Sequence, residues 1–188
     1  MDKTEILKEK LADAEVVLIG IGEEFNEKFD RIAEHEQLVK GLELVDAKEE
    51  LAWMVPYFEK IYLQEQNQSD ILSAYRNLYE LVKDKNYYIV TTCIDGLIQK
   101  AGFKPEKIVE PCGNYEKMQC SAKCSTKLYE SEEYANKIKE ALQDGTLEQV
   151  EQPVCPDCGA PLAFNNIVCE NYVEAVSYTH LRAHETSQ

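Results

Sequence analysis

EVVLIGIG, residues 15–22, decides how the rest of the chain is to be read. Residues 15–19 make a short apolar, largely β-branched run, the kind of strand a parallel sheet buries, and Gly20-Ile21-Gly22 ends it. Upstream, residues 4–14 are expected to form a charged amphipathic helix. Downstream, residues 23–66 read as helical in at least two segments, with Gly41 and Pro56 as candidate breaks. A further helix is expected over 69–83, where Ile71, Leu72, Tyr75, Leu78, Tyr79 and Val82 recur at helical spacing and Ser69 can cap the first turn. Two more strands follow, at 87–92 and 107–110, separated by a short helical segment over 95–101 that ends at Gly102.

Strand, helix, strand, helix, strand is the alternation that builds a parallel sheet with right-handed crossovers, so the fold class is α/β. Ligands of such sheets bind beyond the carboxyl ends of the strands. Those ends carry Gly20 to Glu24, Cys93 to Gly96 and Cys112 to Tyr115, which should therefore converge. A Gly-x-Gly turn after a buried strand lets a backbone approach a pyrophosphate, and a following helix dipole would favour the anion. Glu23 and Glu24 oppose a phosphate there, and the motif alone is equally compatible with a structural turn.

The chain has 188 residues, enough for one domain with a core and a small appendage. Its 35 acidic against 20 basic residues give a formal charge of −15 with no basic cluster, which argues against nucleic acid as a partner. No apolar run is long enough to span a bilayer and the amino terminus is not a secretory leader, so no membrane role and a cytoplasmic location are expected.

Seven cysteines in such a chain point to metal before disulfides. Cys155-Pro156-Asp157-Cys158-Gly159 is a knuckle in which two thiolates grip one ion, the glycine permitting the left-handed turn that aims N–H groups at sulfur. Cys120 and Cys124 supply a second pair with one extra residue between them, and an acidic helix over about 131–142 fills the gap between the pairs. An all-cysteine set is closed, so the metal is read as a structural Zn2+ held by Cys120, Cys124, Cys155 and Cys158. Cys112 and Cys169 are the nearest alternative thiols. His35, in a highly charged stretch, is read as a solvated surface residue.

Three segments are more specific together than apart: VVLIGIG, then TTCIDGLIQKAG, then IVEPCGNYEKMQCSAKC followed by PVCPDCG. In that order they resemble the sirtuin (Sir2-like) family of NAD-dependent deacylases and ADP-ribosyltransferases, over roughly residues 15–175 and most closely its macrodomain-linked class. The resemblance implies a Rossmann-like sheet with an inserted zinc-ribbon-type module, NAD as cofactor and a modified protein as substrate. It divides the chain into 1–114, a Rossmann-like NAD-binding portion; 115–165, the zinc module with its inserted helix; and 166–176, a return to the first domain. Gly20, Ile21 and Gly22 fall on the family's phosphate loop, with Ile21 for an alanine and no serine following. Asp95 falls on the aspartate that shapes the nicotinamide-ribose pocket.

Two positions depart further from the family. Cys93 stands for its asparagine, and Cys112 for the histidine base of most members or the glutamine of the macrodomain-linked class. By position, Cys93, Asp95 and Cys112 are the candidate catalytic residues, and Gly20, Ile21, Gly22, Cys93 and Asp95 the candidate NAD-binding ones. A thiol of lowered pKa can act as nucleophile or weak base but cannot reproduce an amide's paired donor and acceptor. The alternative is thus a catalytically impaired module that binds NAD, ADP-ribose or protein and keeps its structural zinc. SYTHLRAHETSQ, residues 177–188, reads as an artefactual tail, translated from a sequencing adaptor, and the natural domain is expected to continue with further strands, leaving the parallel sheet here incomplete.

Overall fold

The computed structural model describes residues 2–174. The tail expected at 177–188 lies outside them. Helix α1 (Lys3–Asp13) leads into β1 (Val16–Ile21), and a three-residue 3₁₀ turn (Glu23–Phe25) follows where a longer helix was expected. A second 3₁₀ turn (Ile32–Glu34) precedes α2 (Glu36–Ala47); a 3₁₀ stretch (Glu49–Met54) then runs into α3 (Val55–Glu65). Pro56 does mark a boundary, in the first turn of α3, where its missing N–H costs nothing. Gly41 does not: it lies buried within α2, and a methyl group there would come within 2.7 Å of Leu142 and 2.9 Å of Phe58. Its smallness serves helix packing instead of helix breaking.

Helix α4 (Asp70–Val82) is capped as expected, the Ser69 hydroxyl accepting from the Leu72 N–H at 3.0 Å. It leads to β2 (Asn86–Thr91), the single-turn α5 (Leu97–Lys100) and β3 (Ile108–Val109). Strands β1, β2 and β3 pair in parallel in that order, with Val16 opposite Asn86, Ile21 opposite Thr91 and Ile89 opposite Ile108. The inward residues Ile21, Tyr87, Ile89 and Ile108 pack with Leu72, Tyr75 and Val82 of α4 and with Leu97, Ile98 and Phe103.

Past β3 the chain enters a second, antiparallel sheet whose strands were not foreseen: β4 (Gly113–Cys120), β5 (Leu128–Glu130) and β6 (Leu162–Asn166), in the order β5-β4-β6. Helix α6 (Glu132–Asp144) crosses between β5 and β6. A second core forms here, and helices α2 and α3 belong to it: Leu38, Phe58, Ile61 and Leu63 pack with Met118, Ile138, Leu147 and Phe164. His35, expected to be solvated, is half-buried just ahead of α2, its Nε2 lying 2.5 Å from Glu65 Oε2 while Lys139 reaches the other oxygen of Glu65 at 2.7 Å. The chain is therefore α/β, a parallel sheet carrying an inserted cysteine-bearing module.

Candidate functional site

The two cysteine pairs close on one another. The Sγ atoms of Cys120, Cys124, Cys155 and Cys158 all lie within 4.8 Å of each other, with Cys120 to Cys158 at 3.4 Å and Cys124 to Cys155 at 3.5 Å. Tetrahedral zinc with Zn–S bonds of about 2.3 Å requires S···S edges near about 3.8 Å, so the cluster fits a structural zinc. Local geometry makes each pair. Lys123 at φ 51° and Gly159 at φ 76° take left-handed turns, closed by Lys123 N–H to Cys120 O (2.9 Å) and Gly159 N–H to Cys155 O (2.8 Å). These turns aim backbone donors at sulfur: the N–H of Cys124 holds the Cys120 thiol below its ordinary pKa. At Cys155 burial opposes the thiolate, but the N–H groups of Asp157 and Cys158 outweigh it and the pKa is lowered. The Tyr129 hydroxyl stands 3.8 Å from Cys155 Sγ as a further contact.

At the carboxyl ends of β1 and β2 the glycine turn and the segment 92–97 are stitched together. Thr92 N–H donates to Ile21 O (3.0 Å), Cys93 Sγ to Gly22 O (3.1 Å), Ile94 N–H to Asn26 Oδ1 (2.8 Å) and Glu27 N–H to Asp95 Oδ2 (2.7 Å). The second oxygen of Asp95 accepts from Leu97 N–H at 2.9 Å, across Gly96 at φ 70°. Burial raises the Asp95 pKa against those two donors. Burial also raises the Cys93 thiol, which stays protonated and donates to Gly22 O. Cys93 is thus a neutral donor here, without thiolate character. Gly20 faces open space, and the bare Cα of Gly22 carries an oxygen of Glu24 where a side chain would stand. Gly20, Gly22 and Asp95 are thus brought together at the carboxyl ends of β1 and β2, with no side chain packed on Gly20.

Cys112 sits elsewhere on the same rim. It occupies the turn between β3 and β4, half-buried, and its carbonyl accepts from Ile167 N–H at 2.8 Å. Among the described residues no hydrogen bond joins its thiol to Cys93 or Asp95.

Sequence reasoning passed over several polar groups at this rim. Glu110, ending β3, accepts from Gln99 Nε2 at 3.2 Å while its other carboxyl oxygen is buried without a partner, and burial raises its pKa. Lys60, only 2% exposed, reaches Glu116 at 2.6 Å, whose carboxylate in turn lies over Gly96. Gln119 accepts from Asn165 Nδ2 (2.6 Å) and Val173 N–H (2.8 Å), tying the returning chain to β4. For Glu110 the signal was a polar residue closing an apolar run, but nothing local identified the partners of any of these groups. A cavity of about 290 Å³ also opens between α3 and β6, walled by Trp53, Tyr57, Tyr115 and Phe164, and shares no lining residue with the glycine turn.

The Sir2 family's sequence model matches residues 16–181. A curated Staphylococcus aureus protein named as a protein ADP-ribosyltransferase is 25% identical over 181 residues, which cover 87% of this chain and 56% of that protein. The chain thus spans little more than half the length of that relative. Among solved structures, a Sir2 homologue in complex with 2'-O-acetyl ADP ribose superposes with a TM-score of 0.59 at 16% identity, over 100% of this chain and 71% of the other. A Sir2 enzyme superposes at 0.53 with 19% identity, over 98% and 70%, and a Sir2 protein bound to a propionylated peptide at 0.52 with 16% identity, over 99% and 72%. At these identities the superpositions establish the fold.

Proposed function

The chain belongs to the Sir2 family, and from that premise we propose that it forms the nucleotide crevice and zinc module of an NAD-dependent enzyme that modifies protein side chains, by ADP-ribosyl transfer or deacylation. The observation that carries this reading is the glycine turn at the end of β1 stitched to Asp95 at the end of β2, the place where an α/β sheet takes its ligand. Bound NAD would supply an activated ribosyl carbon. Gly20 and Gly22 would admit the phosphates to the backbone, and Asp95, fixed by the N–H groups of Glu27 and Leu97, would shape the ribose side of the crevice. Cys93 would hold the Gly22 carbonyl as a neutral donor, and Cys112 would present a half-buried thiol to the rim.

Cys120, Cys124, Cys155 and Cys158 would hold zinc and so fix the antiparallel sheet against the helical layer. The boundaries that accompany the reading are 1–114, 115–165 and 166–176. Among the described residues no helix is long and apolar enough to cross a membrane. The net charge of −15 supports a protein rather than a nucleic-acid partner, and a cytoplasmic location accompanies the reading.

The protonated Cys93 favours a second reading, in which ligand binding survives and turnover does not. One assay separates the two. Nicotinamide release from NAD that is lost in Asp95→Asn supports the enzyme; ADP-ribose binding without nicotinamide release supports the binding module; neither one overturns both.

A further inference from the structure

The glycine turn is already occupied by a negative charge of its own chain. A side chain built on Gly22 would meet Glu24 Oε2 at 2.5 Å, whereas one built on Gly20 would meet nothing within 4 Å, so the space at the second glycine is taken by the Glu24 carboxylate. The position of Glu24 is set by the 3₁₀ turn, in which Phe25 N–H donates to Gly22 O at 3.1 Å and Asn26 N–H to Glu23 O at 3.0 Å. Beyond the turn the stitching of Asn26 and Glu27 to Ile94 and Asp95 anchors the segment over the strand ends.

Acidic side chains outnumber cations along this stretch. The turn is three residues long, so no helix dipole of useful size points at it. Glu23, Glu24, Glu27 and Asp30 crowd this stretch; Lys28 and Arg31 are its cations, and Arg31 is engaged by Glu34 at 3.0 Å. A phosphate entering the glycine turn would therefore meet like charge at contact distance, where screening by salt is least effective.

We propose that Glu24 is a competing anion built into the glycine turn, its carboxylate holding the place on Gly22 that a dinucleotide phosphate takes, so that Glu24 sets the affinity of this crevice for its cofactor. The proposal rests on the nucleotide reading above and makes Glu24 a specificity-determining residue for ligands that carry phosphate. An exposed side chain on a turn can be exchanged without unfolding the protein.

Calorimetric titration of ADP-ribose, and separately of adenosine, into the full chain tests it, using the native sequence, Glu24→Gln, Glu24→Ala and, as a charge control, Asp30→Asn. Both Glu24 variants should bind ADP-ribose about tenfold or more tighter than the native chain, with adenosine unchanged and Asp30→Asn having a clearly smaller effect. Equal ADP-ribose affinity in all four proteins overturns the proposal while leaving the nucleotide reading intact. A gain shared equally by adenosine, or by Asp30→Asn, overturns it as well, since the effect would then be one of loop mobility or overall charge. Failure of every protein to bind ADP-ribose overturns both.

Discussion

Gly113 takes φ 64°, and a methyl group on it would fall inside the carbonyl oxygen of Asn165, its neighbour across the start of the β4–β6 ladder. Neither strain can relax, because the obstacle is backbone. Gly113→Ala should therefore cost about 2 kcal/mol or more of stability in urea unfolding, the combined penalty of a left-handed alanine and an overpacked contact. Glu110 offers a test of a different kind. Its folded pKa is raised by burial, so the stability it contributes is fully present below the unfolded value of about 4.3 and declines as pH rises towards the folded value. Glu110→Gln removes that dependence. The stability of the variant relative to the native chain should increase as pH is raised through this window, and denaturation curves at pH 4, 6 and 8 would show it. At the zinc cluster, Cys155→Ser removes one of four close-set ligands, and one of the two that are buried. Native mass spectrometry should find one zinc per native chain and none in the variant, with the module losing its fixed structure because metal binding and folding are coupled there.

At the scale of elements, α2 is held to α3 and α6 through a glycine. The close approach of Leu142 and Phe58 to Gly41 leaves no room for a branched side chain, although nothing in the helix backbone objects to one. Gly41→Leu should lower stability by about 1–3 kcal/mol by overpacking, against a helix-propensity gain of about 1 kcal/mol, and calorimetric melting would report the net loss. Two lysines fasten α3 to the segment that follows β2 and to β4. Lys60 meets Glu116 over Gly96, and Lys100 donates from α5 to the carbonyls of Leu63 and Gln64 at 2.8 Å each, satisfying acceptors at the end of α3 that the helix itself leaves free. The helical layer and the loop that holds Asp95 are thereby one mechanical unit.

Among the described residues the molecule has two cores, and one face of the parallel sheet is exposed. The parallel sheet buries Tyr87, Ile89 and Ile21 against α4, while Val16, Leu18, Tyr88 and Val90 on the opposite face are exposed, Leu18 by 76%. Parallel sheets are ordinarily covered on both faces. Self-association through this face is expected at high concentration, and Leu18→Glu should restore the monomer in sedimentation velocity without lowering the melting temperature, since Leu18 contributes little burial. An unchanged sedimentation coefficient between native chain and variant would count against the face as the contact.

Much of this was legible locally. The strands of the parallel sheet announced themselves as apolar β-branched runs, although one face of β1 and β2 is exposed where burial was expected; the Ser69 cap was marked by its position before a periodic segment, and the cysteine knuckles by spacing that lets two thiols reach one ion. Such features depend on residues within a few positions of each other, so a sequence determines them by itself. The tertiary structure alone decided what lies across the chain. The alternating polar residues of β4 concealed a central strand, because its partners Phe164 and Glu130 are set by a register no local window contains. Gly41 was misread for the same reason, its role being fixed by Leu142 and Phe58, and the pairing of His35 with Glu65 was likewise out of local view. The placement of Glu24 on Gly22, two residues apart, also waited on the fold, since it depends on a turn that the distant Ile94 and Asp95 hold in place.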